Sequence, residues 1–121
     1  MALFTRARIE AIADAFGHTE EGLTGSEIGG LLESIGANDP SATLTKRIRL
    51  FNAFVKQQNH DQNRTAILVF ICKAMKPERF LRDPHRYEPL RTRLNAALSF
   101  EGLAVKADGT LEAAESVIHP R

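Results

Sequence analysis

A chain of 121 residues, 43% hydrophobic and 26% charged with a formal net charge of +1, has the make-up of one globular domain. Its longest unbroken apolar run, Ala66 to Cys72, is far short of the about 20 residues a membrane-spanning helix needs, and a lone cysteine excludes an internal disulfide or a thiolate metal cluster. Met1-Ala2-Leu3-Phe4-Thr5 opens straight into a helical pattern rather than a signal peptide, so the expected setting is cytoplasmic.

The first helix is announced by Thr5 as a cap between Phe4 and Ile9, a hydrophobic staple. Its apolar stripe is Ile9, Ile12, Ala13 and Phe16, and Gly17 stops it. In Leu23-Thr24-Gly25-Ser26-Glu27-Ile28, Thr24 and Glu27 have the spacing of a capping box, with Leu23 and Ile28 as the staple. A second helix is therefore expected over 25–35, burying Ile28, Leu31, Leu32 and Ile35 and ending at Gly36. Inside it, Gly29 and Gly30 each cost about 1 kcal/mol relative to alanine, which predicts a close backbone neighbour, another helix in the first place or else a partner.

After the turn Asn38-Asp39-Pro40-Ser41, a third helix is expected over 44–58. Leu44, Ile48, Phe51 and Val55 form its buried face, widened by Leu50 and Phe54, and 57–63 follow as a polar loop. The fourth, 64–76, is apolar nearly all round, which predicts a central helix with Cys72 buried and inert; Pro77 stops it. Asp83-Pro84 reads as a cap followed by proline at the first helical position. The fifth helix then turns Tyr87, Leu90, Leu94, Ala97 and Leu98 inward and ends near Gly102. Leu103–Lys106 and Thr110–Glu112 flank Asp108-Gly109, a hairpin signal, and so short a hairpin must lean on helices. The expected fold is all-α: a compact five-helix domain over 1–112 with a small C-terminal β-hairpin, then a tail or linker over 113–121.

The near-zero net charge conceals an asymmetry. Residues 1–42 hold two basic and seven acidic side chains, whereas 43–93 hold twelve basic and four acidic. Lys46, Arg49 and Lys56 share one face of the third helix at helical spacing, where they could neutralise phosphates. The plainer alternative is that the basic middle complements the acidic first third, within the fold or across a dimer. Helices two and three also admit a helix-turn-helix, Asn52 and Gln57 being able to read adenine edges, although the segment joining them, 36–43, exceeds the usual turn.

Signs of catalysis are sparse. His18, His60, His85 and His119 are scattered without metal-ligand spacing, and no glycine-rich phosphate loop follows a strand. Arg79 and His85 have the arginine-to-histidine spacing of a HEPN ribonuclease motif, but Pro77 and Pro84 bracket them in a connection rather than on one helical face. No enzyme, metal or cofactor is expected.

Several stretches run in a familiar order: Leu23-Thr24-Gly25-Ser26-Glu27-Ile28-Gly29, Thr45-Lys46-Arg47, Leu50-Phe51-Asn52-Ala53, Gln58-Asn59, Phe70-Ile71-x-Lys73-Ala74-Met75-x-Pro77 and Leu94-Asn95-x-x-Leu98-x-Phe100-x-Gly102-Leu103. This order resembles the N-terminal region of bacterial Ymh-type and AbiJ-like abortive-infection proteins, over about residues 4–112. In that group a helical domain precedes a HEPN-like RNase effector of phage defence, which this chain does not reach. The resemblance implies a non-catalytic sensing, adaptor or oligomerisation domain that binds a protein partner, a copy of itself, or RNA or DNA. The matching surface residues are Thr45, Lys46, Arg47, Asn52, Gln58 and Asn59; Arg49 and Lys56 complete the expected basic surface. Asn95 also matches, with the hairpin backbone as its other possible target. The rival expectation is a winged-helix-like DNA-binding regulator with the hairpin as wing.

Overall fold

A computed structural model describes residues 3–113 and shows five α-helices followed by a two-stranded antiparallel hairpin. The helices are α1 (Arg6–Phe16), α2 (Gly25–Ser34), α3 (Lys46–Asp61), α4 (Thr65–Ala74) and α5 (Tyr87–Leu98). The strands are β1 (Leu103–Val105) and β2 (Leu111–Ala113), so Ala113, expected in the tail, pairs with Leu103. The remainder of the expected tail, 114–121, and Met1 and Ala2 lie outside the described residues. Among those residues no helix is long and apolar enough to cross a membrane.

The caps form as the sequence dictates. Thr5 Oγ1 accepts the Arg8 amide at 3.1 Å. At α2 the Thr24 hydroxyl accepts the Glu27 amide at 3.1 Å while the Glu27 carboxylate accepts the Thr24 amide at 2.8 Å, a complete capping box. Asp83 is the exception: its side chain caps nothing, and Pro84–Arg86 forms a 3₁₀ turn ahead of α5. Pro77–Phe80 is a second such turn, so two tight turns bridge α4 and α5.

The core is where the apolar stripes converge. Phe16 of α1, Phe54 of α3 and Phe70 of α4 meet edge to face, with centroids 5.3 Å (Phe16–Phe70) and 4.9 Å (Phe54–Phe70) apart. Tyr87, Leu90, Leu94, Ala97 and Leu98 all turn inward from α5 as their spacing predicts.

α3 departs from expectation in both length and orientation. It continues through Asp61 and ends at Gln62 in a left-handed conformation (φ 57°), so much of the expected loop is helix. Its buried residues are Arg49, Leu50, Ala53, Phe54 and Gln58; Ile48 is 49% exposed, and Phe51 and Val55 are only half-buried. The burial stripe is rotated towards two polar residues, which is tolerable because both find partners inside the fold, as described below. α4 is not sheathed on all sides either. Ile67, Phe70, Ile71 and Ala74 are buried, whereas Leu68 and Cys72 are half-buried and Val69 is 38% exposed.

The hairpin leans on α5 through side-chain amides. Asn95 accepts the Val105 amide at 2.8 Å and returns a hydrogen bond to the Val105 carbonyl at 3.1 Å, mimicking a third strand; Arg91 adds a donor to that carbonyl at 2.8 Å. Gly109 sits at φ +90° in the turn, where a Cβ would collide with the Met75 carbonyl at the end of α4.

Candidate functional site

The eight residues expected to form a binding surface on α3 divide sharply. Thr45 caps the helix through the Ile48 amide. Lys46 points back into the fold, its ammonium donating to the carbonyls of His18 at 3.0 Å and Leu23 at 2.7 Å, and so fastens the loop between α1 and α2. Burial pushes its pKa below the ordinary lysine value, with the neighbouring Arg86 and Arg47 charges in the same direction and Glu27 opposing. Arg49 is only 5% exposed: its guanidinium forks onto both oxygens of Asp39, with Nε–Oδ1 at 2.8 Å, and donates to the Gly25 carbonyl at 3.1 Å. Gln58 is buried and bridges both backbone groups of Phe4 at 3.0 Å, locking the chain ahead of α1 onto α3.

Lys46, Arg49 and Gln58 are therefore structural, a correction to the expected surface. The three cations expected to share one basic face are split: Arg49 lies within the buried stripe, Lys46 turns back into the fold and Lys56 alone faces outward. What remains outward is Ile48, Asn52, Lys56 and Asn59, a stripe with a single charge, and Arg47 at the start of the helix, 3.9 Å from Asp14. Gly29 also gains its explanation. A Cβ there would lie 3.0 Å from the Arg49 guanidinium, so the close neighbour is a side chain of α3 rather than a backbone, while Gly30 faces open space.

The same logic resolves the charge asymmetry. Asp39 meets Arg49, Glu21 meets Arg93 at 2.7 Å, Asp14 meets Arg47, and Glu27 receives both Arg79 at 3.3 Å and Arg86 at 3.1 Å. Acids of the first third and bases of the middle thus pair within one chain. Burial raises the Glu27 carboxyl, but the Thr24 amide and the Arg86 and Arg79 charges outweigh it and hold its pKa below the ordinary value. Arg79 also donates to the Ala74 carbonyl, whereas His85 stands exposed on the next turn. Arg79 thus holds a carbonyl and a carboxylate of the fold, while His85 faces solvent.

Three surface depressions bear on the search for a site. One, about 490 Å³, runs between α1 and α5 over Ala11, Ala15, Ala96 and Ala97. Arg8, Arg47 and Arg93 rim it with the 76% exposed Phe100, but each arginine arrives with its own carboxylate, Glu101, Asp14 or Glu21. The groove is therefore close to electroneutral. The second lies along α4, where Thr65, Leu68, Val69, Cys72, Lys73 and Lys76 line about 380 Å³; it adjoins a depression of about 390 Å³ against α2 that shares Lys73 and Lys76. Sequence reasoning missed this face because a run of seven apolar residues looks buried. The signal was nevertheless present, since Thr65, Val69, Cys72 or Lys73, and Lys76 fall on one stripe at helical spacing, and its ends are polar.

Among the described residues, no cluster of three or more His, Cys, Asp or Glu side chains is placed to hold a metal ion. No family model matches the sequence, and comparison with curated proteins and with solved structures found no match.

Proposed function

We propose that this chain is a non-catalytic helical recognition domain, a sensing, adaptor or oligomerisation module of the kind that precedes a HEPN-like RNase effector in the abortive-infection proteins its sequence resembles. Its partner is a protein surface rather than a nucleic acid. The observation that carries this choice is the inward orientation of Lys46 and Arg49, which leaves Lys56 and Arg47 as the charged contacts on α3. Each phosphate neutralised contributes about 0.9 to the slope of log affinity against log salt, so two contacts give a weak, shallow interaction where a dedicated binder makes about 6–10. A groove-reading α3 fares no better, because its outward stripe holds Ile48, two asparagines and one lysine, and the hairpin is occupied with α5 and the end of α4.

The test is binding to mixed single- and double-stranded RNA and DNA over 50–300 mM salt, with solution mass measured alongside. Weak binding that barely responds to salt is the expected outcome. Submicromolar binding with a steep salt slope would overturn the protein-partner reading in favour of nucleic-acid sensing, and sharp dependence on DNA sequence would favour the winged-helix regulator.

A further inference from the structure

From the composition of the outer face of α4, we infer that it is the docking site for an acidic amphipathic helix of a partner protein, with Leu68, Val69 and Cys72 receiving its apolar stripe and Lys73 and Lys76 its carboxylates. The inference rests on the adaptor reading above and names the surface that serves it. Charge complementarity selects the occupant. Arg8, Arg47, Arg49, Arg64, Arg79, Arg86, Arg91 and Arg93 all have a carboxylate at hand, yet Lys73 and Lys76, at the edge of an apolar depression, have no ion-pair or hydrogen-bond partner among the described residues. The neighbouring carboxylate, Glu27, is already claimed by Arg79 and Arg86. Two unpaired ammonium groups beside exposed Val69 fit a ligand that is apolar on one side and anionic on the other. A phosphate backbone has no use for the apolar strip, and a neutral helix has none for the lysines.

The dimensions agree. α4, Thr65–Ala74, is roughly 14 Å long at 1.5 Å per residue, with Lys76 two residues beyond its end, and the i, i+4, i+7 anchors of a bound helix cover about 10 Å. The adjoining depression, floored by Leu31 and open at Gly30 where no side chain intrudes, widens the seat on the α2 side.

The experiment selects a displayed library of random 15-residue peptides on the full chain. The enriched peptides are then synthesised and titrated against the parent, Val69→Glu, the double variant Lys73→Glu/Lys76→Glu, and Phe100→Ala in the other groove. Enriched peptides should carry Asp or Glu beside Leu, Ile or Phe at helical spacing. Their affinity should fall at least tenfold in both α4 variants and stay within twofold in Phe100→Ala, with thermal melting showing each variant folded. Val69→Ser replaces Val69→Glu if the latter unfolds. Peptides without acidic bias, no enrichment at all, or affinities indifferent to the α4 variants would overturn the inference. Loss confined to Phe100→Ala would move docking to the α1–α5 groove and leave the adaptor reading standing. A chain that dimerises through Lys73 and Lys76 would make the occupant a second copy and overturn the partner named here. If the α4 variants instead abolish steep, salt-sensitive binding of an oligoadenylate 20-mer, both readings fall together.

Discussion

Removing the Asp39 carboxylate should cost more than removing the arginine it holds, and the difference measures how far Arg49 has left solvent. In Asp39→Ala, a guanidinium that is 5% exposed keeps one hydrogen bond, to the Gly25 carbonyl, and loses its charge partner. Breaking a fully buried pair costs about 3–5 kcal/mol, but the Asp39 side chain is 32% exposed, so water screens part of the interaction and about 2 kcal/mol is the working figure. At this chain length about 4 °C of melting temperature accompanies each kcal/mol, giving a drop of about 8 °C. Arg49→Met deletes the charge, fills much of its volume and lets Asp39 rehydrate, so about 1 kcal/mol or less is expected. Urea denaturation of the parent, both single variants and the double variant yields the values and their coupling. The Arg49 hydrogen bond, with its charge, outweighs burial and holds the Asp39 carboxyl below its ordinary pKa. Its stabilisation is therefore complete above the unfolded pKa near 4 and is lost as pH falls through the lower folded value, so the parent should lose more stability than Asp39→Ala between pH 5 and 2. A change within 0.5 kcal/mol in Asp39→Ala, or an equal or larger loss in Arg49→Met, would refute the burial argument and return Arg49 to the surface available to a partner.

Other expectations follow from the same contacts. Gln58→Ala strands both backbone groups of Phe4 and should destabilise by about 1–3 kcal/mol, with the Phe4 amide exchanging faster than in the parent. Lys46→Met should lower the melting temperature rather than any binding affinity, because its ammonium serves two carbonyls of the α1–α2 loop. Asn95→Ala should release the hairpin while leaving the helices folded, seen as faster exchange at the Val105 amide with helical circular dichroism nearly unchanged.

Local signals carried the fold a long way. Thr5, Thr24 with Glu27, Gly36 and Asp108-Gly109 act within four residues of themselves, and each appears in the structure in its expected role. The orientation of α3 was not legible in the same manner. A helical wheel places Arg49 and Gln58 outward by residue type, yet their partners are Asp39, ten positions earlier, and the backbone of Phe4, 54 positions earlier. Nothing within a turn of the helix reports either. α4 failed in the opposite direction. Its apolar run satisfied every local criterion of burial, but α2 and α3 cover only part of its circumference, and which part depends on packing geometry. The candidate surface shifted accordingly, from a helix whose charges have internal work to one whose charges do not.

Residue type alone therefore misdirects the search for an interaction surface in a chain so nearly neutral. Twelve basic residues in 43–93 suggest a phosphate-binding domain. Once Lys46, Arg47, Arg49, Arg64, Arg79, Arg86, Arg91 and Arg93 are set against their carbonyls and carboxylates, the cations of that stretch left without a partner among the described residues are Lys56, Lys73, Lys76 and Arg82. The arginines do the internal work because a planar guanidinium can hold a carboxylate with two bonds and still reach a carbonyl, as Arg49 does, whereas a lysine is a point charge. The division has a consequence for engineering. Charge reversal at Lys73 or Lys76 should be tolerated by the fold within about 0.5 kcal/mol, since neither ammonium holds any other group in place among the described residues. The same reversal at Lys46 or Arg49 should unfold the chain. A scan that found the two sets equally costly, by denaturant midpoint, would mean that the outer end of α4 is held by its lysines and is not a surface left free for a partner.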